Sequence, residues 1–300
     1  MAATTQVDLA EEPQEAVANN PSGADTAARP EDHDGGSSLV YRQRFATRLT
    51  HWIWAVCLFF MLLSGLQIFM ARPDLYIGQQ SGFGFDNTIL SIGARQVGGE
   101  ARGVTTVFGH AFDTTGWLGL VPQGGQLAAK TFPGWLTIPG YRDLATGRVV
   151  HFFFAWVLVA TLFVWLLASL LNGHLRELVP TPGDLKRLPR DVAEHLRLRF
   201  HHGRSYNVLQ KLSYAAVLFI ALPLTVLTGL TMSPGVVADL PFLLDLFGGR
   251  QTARTIHFAL MLALVLFFVV HVLMVVLAGP INELRSMITG WYRTQPEKRR

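Results

Sequence analysis

Cysteine is almost missing from this 300-residue chain, in which Cys57 stands alone. A single cysteine cannot form an internal disulfide, and it cannot supply the set of thiolates that an iron–sulfur cluster needs. The chain also lacks a C-x-x-C-H motif, the sequence that attaches haem covalently. Any haem bound by this chain must therefore be held non-covalently.

Charged residues are also scarce, at 15% of the chain, whereas hydrophobic residues make up 50%. The apolar residues are concentrated in four runs, each long enough to cross about 30 Å of hydrocarbon as a helix. Their continuity excludes the alternating pattern of a strand barrel. The sequence therefore predicts an all-α membrane protein with a bundle of four transmembrane helices. The four predicted spans are Thr47–Met70, Val149–Leu171, Val208–Met232 and Thr255–Ala278.

Basic residues flank these spans and do not form a separate basic domain, so the pI of about 9.5 gives no indication of nucleic-acid binding. Seven Lys and Arg lie in the connection 173–205 and five in residues 280–300, against five in the 77 residues of 71–147. By the positive-inside rule, both termini and the connection 173–205 are expected in the cytoplasm. The loop 71–147 is then external, and the expected location is a bacterial inner membrane.

Two segments differ from simple connections. Residues 1–40 carry eight Asp and Glu against one Arg, with no apolar stretch long enough for a signal peptide, which predicts a disordered cytoplasmic tail. The long loop 71–147 is rich in glycine and aromatic residues, and we expect an irregular external cap that either packs on itself or docks a partner protein. The four-helix domain is expected over 41–292, followed by a basic tail at 293–300.

The sequence also contains an imperfect internal repeat. An R-x-x-H-F motif opens the second and fourth spans, and a Leu-Ser/Thr-Gly-Leu motif lies near the ends of the first and third. The matching segments are Gly147–Phe152 with Ala253–Phe258, and Leu63–Leu66 with Leu227–Leu230. The repeat predicts two helix pairs of common design.

Four histidines lie in or at the ends of the apolar runs: His51, His151, His257 and His271. His257 and His271 are fourteen residues apart, a spacing that falls roughly 40° short of four helical turns and rises about 21 Å. Their imidazoles therefore face nearly the same way at two membrane depths. With the expected topology, depth pairs His151 with His257 near the outer face and His51 with His271 near the inner face.

Each pair can supply two axial imidazoles to one iron, which leaves no coordination position for oxygen or substrate and suits electron transfer. The predicted cofactors are therefore two non-covalent b-type haems. The alternative from another class of protein is a haem-free transporter or scaffold, whose histidines would line a proton path.

Three arginines and one glycine complete the predicted haem sites. Arg48, Arg148 and Arg254 each lie three residues before a histidine, where a guanidinium could pair with a haem propionate or anchor the helix end at the membrane surface. Gly65 lies fourteen residues after His51, at the depth of the outer haem. Its missing side chain would admit either a flat macrocycle or a neighbouring helix.

Polar residues at the start of the third span lie at the inner depth. Asn207 and Gln210 could donate hydrogen bonds to a quinone carbonyl, with Lys211 or water delivering protons. An Asn-x-x-Gln pair also fits a helix cap, which needs no ligand. The sequence leaves both interpretations open.

These motifs resemble the bacterial four-helix cytochrome b family, which supplies membrane subunits to formate dehydrogenase, nickel–iron hydrogenase and thiosulfate-reductase-like enzymes. The resemblance covers about residues 41–292. It is carried by Arg48-x-x-His51-Trp52, Arg148-x-x-His151, Tyr206-Asn207-x-x-Gln210-Lys211 and Arg254-x-x-His257 with His271. It implies that the four histidines ligate two b haems and that a quinone binds beside the cytoplasmic haem, near Asn207 and Gln210.

The resemblance further implies an electron-transfer subunit of a respiratory, quinone-linked oxidoreductase complex. The tail and the loop 71–147 exceed the compact formate dehydrogenase pattern, so the identity of the partner stays open. A periplasmic molybdopterin enzyme is the preferred expectation. A stand-alone quinone oxidoreductase is the alternative within electron transport.

Overall fold

The computed structural model describes residues 39–82, 84–173, 175–196 and 208–294. Within these ranges, four helices are long and apolar enough to cross a membrane, which confirms the predicted helical membrane bundle. Most of the expected N-terminal tail, residues 295–300 of the C-terminal tail, and Asn207 lie outside the described residues.

The helices follow one another along the chain with a long strand-rich insertion after the first. In chain order they are α1 Phe45–Phe69, α2 Leu144–Leu171, α3 Leu175–Leu178, α4 Pro182–Leu196, α5 Val208–Ala216, α6 Leu222–Thr231, α7 Pro234–Asp239, α8 Phe242–Leu246, α9 Arg250–Ala278 and α10 Pro280–Thr289. The strands are β1 Leu39–Tyr41, β2 Asp74–Tyr76, β3 Thr88–Val97, β4 Glu100–Val107, β5 His110–Asp113, β6 Leu120–Gln123, β7 Gln126–Ala129 and β8 Trp291–Arg293.

The third span is a single stretch, Val208–Thr231, in which a π-helical turn over Val217–Ala221 joins α5 to α6. Pro223 lies two residues after this turn. Proline has no N–H to donate to the carbonyl four residues earlier, and its ring crowds that carbonyl. A local widening of the helix relieves this crowding without breaking the span.

The second span begins at Leu144, five residues before the predicted start at Val149. Asp143 caps this helix, because its carboxylate accepts hydrogen bonds from the backbone N–H and the hydroxyl of Thr146. The same two bonds hold the pKa of Asp143 below its usual value. The predicted start was too late because the first turn of the helix is not part of the apolar run.

The bundle consists of two helix pairs, with α1 packed along α2 and α6 along α9. A buried core halfway along the spans, centred on Cys57, Leu158 and Leu222, joins the two pairs, and Leu264 of α9 packs against it. Elsewhere in the described part of the chain, the backbones of α1 and α2 stay apart from those of α6 and α9. The two pairs therefore pack closely at mid-membrane, and their backbones lie further apart above and below it.

The loop between α1 and α2 is ordered as antiparallel strands, contrary to the expectation of an irregular cap. Its main sheet has the strand order β2-β3-β4-β5, and β6 and β7 form a separate hairpin. The glycines that suggested irregularity form two-residue hairpin turns, since Gly98-Gly99 and Gly124-Gly125 have positive φ angles between paired strands. Glycine supplies this left-handed geometry without steric cost.

The sheet is fixed to the start of α9. Thr255 donates a hydrogen bond to the carbonyl of Tyr76, at 2.7 Å, and the hydroxyl of Thr252 accepts one from the N–H of Gly78, also at 2.7 Å. Phe69, at the end of α1, stacks on Phe258 with ring centres 4.6 Å apart. The loop therefore has a set position over the end of the bundle where α9 begins.

The two ends of the described chain meet at the opposite end of the bundle. β1 pairs with β8 in an antiparallel ladder, and Arg42 pairs with Glu283 of α10. Trp52 of α1 donates a hydrogen bond to the carbonyl of Met287, at 3.1 Å. An even number of membrane crossings places both ends on one side, and this pairing agrees with four spans.

Gly103 allows a close backbone approach inside the loop. A Cβ at this position would lie 2.2 Å from the carbonyl oxygen of Leu118, whereas a Cβ on Gly93 would meet nothing within 4 Å. We therefore expect Gly103→Ala to lower the stability of the folded loop by about 1–3 kcal/mol. Gly93→Ala should leave the stability of the loop unchanged. Limited proteolysis of the loop in membranes measures this, and equal cleavage rates for both variants would contradict the packing.

Candidate functional site

The structure brings the four span histidines together in two pairs. The ring centres of His51 on α1 and His271 on α9 are 6.3 Å apart, and those of His151 on α2 and His257 on α9 are 6.4 Å apart. The two pairs lie at opposite ends of the bundle, on either side of the mid-membrane core. This is the pairing that depth along the helices predicts.

The distance within each pair matches two imidazoles that share one metal ion. With metal–nitrogen bonds of about 2 Å on opposite sides of an ion, the ring centres lie roughly 6.3 Å apart. Among the described residues, no group of three or more His, Cys, Asp or Glu side chains could hold a metal ion. Each pair would therefore supply two imidazole nitrogens to an iron, and a haem, which brings the remaining nitrogen ligands itself, would fit this donor set.

The imidazole of His151 is held by the end of α1. Its Nδ1 lies 3.1 Å from the carbonyl oxygen of Met61 and 3.2 Å from the hydroxyl of Ser64. Ser64 is completely buried. The ring of His151 also lies against Gly65, where a Cβ would come within 3.3 Å of Cε1. Gly65 thus makes room for the imidazole itself, in addition to any role beside a macrocycle.

The imidazole of His257 has the same surroundings on α6. Its Nδ1 lies 3.0 Å from the carbonyl oxygen of Thr225 and 3.1 Å from the hydroxyl of Thr228, which is also completely buried. Gly229 corresponds to Gly65, since a Cβ there would lie 3.4 Å from Cε1 of His257. The internal repeat of the sequence is therefore a repeat of imidazole-holding contacts.

The pair at the other end is held differently. Within the described part of the chain, Nδ1 of His51 is buried without a hydrogen-bond partner, and His271 stacks on Phe267 with ring centres 5.8 Å apart. Nε of Arg48, one turn before His51, is likewise buried and unpaired there, although Nη1 of the same side chain donates to the carbonyl of Ile288. A free guanidinium N–H beside the imidazoles suits a carboxylate such as a propionate.

The other two predicted arginines have separate surroundings. Arg254 donates hydrogen bonds to the backbone carbonyls of Asp74, at 2.9 Å, and Arg72, so it fastens the loop to α9. Arg148 is exposed, and its guanidinium lies 5.7 Å from the ring centre of Phe152. Of the three, Arg48 has a buried guanidinium N–H without a partner among the described residues.

Lys211, at the start of the third span, pairs with Asp184 of α4 at 3.1 Å. A backbone hydrogen bond from Thr181 and the ammonium of Lys211 lower the pKa of Asp184 to about 2. The carboxylate is therefore charged at any physiological pH, and Lys211 is held by a fixed negative charge. Gln210 is partly buried beside it.

Ser64, Thr228 and Gly229 were not among the residues that the sequence singled out as haem contacts, although they lie in the repeat that it identified. The signal that could have identified them is the internal repeat. Ser64-Gly65 on α1 and Thr228-Gly229 on α6 recur at the same depth as the R-x-x-H-F motifs of the neighbouring helices. Helix periodicity gives the face and depth of a residue, but not which partner helix lies against it.

Comparison with known proteins agrees with this architecture. The chain is 26% identical over 247 residues to a protein of Azospira oryzae that is provisionally named a protein-methionine-sulfoxide reductase subunit, YedZ1. The aligned region covers 81% of this chain and 93% of that relative. The sequence profile of a family described as prokaryotic cytochrome b561 matches residues 42–290, which include all four helices and both histidine pairs. The chain therefore belongs to the prokaryotic cytochrome b561 family of haem-binding membrane proteins.

Proposed function

We propose that this cytochrome binds two b-type haems, one between His51 and His271 and the other between His151 and His257. The observation that carries the proposal is the near-equal separation of the two ring pairs, 6.3 and 6.4 Å, at opposite ends of one bundle. Each bound haem supplies a one-electron carrier whose iron is closed to oxygen and substrate. The chain's own residues hold the rings, exclude water and separate the two levels by an apolar core.

The two sites then form an electron path across the membrane. The His51–His271 level lies beside the paired ends of the described chain, and the His151–His257 level lies beside the loop sheet. The excess of Lys and Arg on the side of the chain ends supports a cytoplasmic location for them. The loop sheet then faces the periplasm of a bacterial inner membrane.

The partner in this proposal is a periplasmic oxidoreductase that docks on the loop sheet. Two observations support it. The name of the Azospira oryzae relative describes a reductase subunit, and the loop is fastened to α9 beside His257, through Arg254 and Thr255. The loop also exposes aromatic side chains, among them Trp117 and Phe108, and aromatic residues are enriched at protein–protein interfaces. A molybdopterin enzyme remains the preferred partner.

Quinone chemistry is proposed at the cytoplasmic level. Asn207 and Gln210 would hydrogen-bond the quinone carbonyl, at the start of the third span. Lys211 forms an ion pair with Asp184. Transfer of a proton from the Lys211 ammonium to the quinone would therefore require that ion pair to break. Water is therefore the simpler source of protons beside this pair. Electron flow toward this level against a potential of 100 mV would cost about 2.3 kcal/mol per electron.

Loss of single histidines tests the pairing. We expect His271→Ala to remove the haem at the cytoplasmic level and His151→Ala to remove the other, because each variant leaves one iron with a single imidazole. Reduced-minus-oxidised spectra with a redox titration distinguish the two haems. His110→Ala, an exposed loop histidine, is the matched control and should keep both. Loss of the same haem in both span variants would contradict the pairing.

Amide removal tests the quinone site. We expect Asn207→Ala and Gln210→Ala to slow quinone turnover about tenfold with haem content intact, the effect of losing one hydrogen bond to the substrate. Steady-state reduction of a soluble quinone analogue measures this. Ser213→Ala, in the same helix, removes a hydroxyl that bonds to the Leu209 carbonyl, and should leave turnover unchanged. Unchanged turnover in both amide variants would leave these residues as a helix cap.

A further inference from the structure

The proton on the His151 imidazole can be assigned from its neighbours. The carbonyl oxygen of Met61 can only accept a hydrogen bond, so Nδ1 must carry the hydrogen. The hydroxyl of Ser64 donates its own hydrogen to the Phe60 carbonyl, at 2.6 Å, and therefore presents a lone pair to Nδ1. One N–H is thus shared between two acceptors, and Nε2 keeps its lone pair for a metal ion.

The proton on the His257 imidazole can be assigned in the same way. The hydroxyl of Thr228 donates to the Leu224 carbonyl, at 2.7 Å, which leaves its lone pair facing Nδ1 of His257. The Thr225 carbonyl is the second acceptor. Both rings of this pair are therefore fixed in the tautomer that presents Nε2, by a carbonyl and a hydroxyl three residues further along the same helix.

Acceptors on the far nitrogen of a ligating imidazole have a known chemical effect. They orient the ring and raise the basicity of the metal-bound nitrogen. A more basic ligand stabilises the oxidised iron more than the reduced iron, because the oxidised ion carries the higher charge. The reduction potential of the haem falls as a result.

We propose that Ser64 and Thr228 are positioning residues that act through His151 and His257 to lower the reduction potential of the haem between them. This inference rests on the proposed binding of a haem by that pair. Neither hydroxyl reaches the His51–His271 pair, in which Nδ1 of His51 has no hydrogen-bond partner among the described residues. The two hydroxyls therefore tune one haem of the two.

A redox titration of the full-length, haem-loaded protein tests this role. The double variant Ser64→Ala with Thr228→Val removes both hydroxyl acceptors and keeps both carbonyls. We expect its haem content to be unchanged and one of the two midpoint potentials to rise, by about a tenfold change in the reduction equilibrium, or 59 mV for one electron. The potential that moves should be the one that disappears in His151→Ala.

Two controls separate this effect from a packing effect. Thr231→Val removes a buried hydroxyl one turn further along the same helix, which donates to the Leu227 carbonyl, and should leave both potentials unchanged. The conservative exchange of Ser64→Thr with Thr228→Ser keeps an acceptor at both sites and should retain the potential of the unmodified protein. An equal rise in Thr231→Val, or unchanged potentials in the double variant, would overturn the proposal.

The outcomes also separate this inference from the proposed function. If the unmodified protein binds no haem at the His151–His257 pair, the proposed function fails. If it binds haem there and the double variant shows no shift, the positioning role alone fails. Should the double variant lose its haem, Ser64→Cys, which has a weaker acceptor of similar size, is titrated alone. A smaller rise of the same sign is then expected, and none would overturn the proposal.

Discussion

The whole arrangement depends on holding imidazole rings in fixed positions inside an apolar helix bundle. A polar ring at this depth is costly to bury without partners, and an unfixed ring could not share a metal ion with a ring on another helix. At one end of the bundle, backbone carbonyls and buried hydroxyls hold the rings of His151 and His257. The mid-membrane core of Cys57, Leu158 and Leu222 then keeps the two levels apart.

The internal repeat explains why only one of the two levels is symmetric. α1 with α2 and α6 with α9 repeat the same contacts around His151 and His257, so that pair lies on equivalent positions of the two halves. The second pair has no such equivalence, because Trp165 and Ala215 stand at the positions that correspond to His271 and His51. The level beside the chain ends therefore has different surroundings, among them the buried Nε of Arg48 one turn before His51.

Much of this could be predicted from the sequence, since long apolar runs and a helical period fix which residues share a face and a depth. The four spans and the grouping of the histidines by depth follow from that regularity. The loop did not, because Gly-Gly hairpin turns and an irregular loop have similar compositions. The capping of α2 by Asp143, the engagement of Arg254 by loop carbonyls and the pairing of Lys211 with Asp184 depend on tertiary contacts that no local pattern encodes.

The loop sheet and the antiparallel pair of β1 and β8 give the two ends of the bundle different surroundings. One end carries a folded surface over His257, and the other carries the joined ends of the described chain beside His51. The proposed path for electrons between two different reaction partners agrees with this asymmetry. The most direct measurement of the central claim is the haem content of fully loaded, purified protein by pyridine haemochrome analysis. The account predicts two b-type haems per chain, and a value of one or none would contradict it.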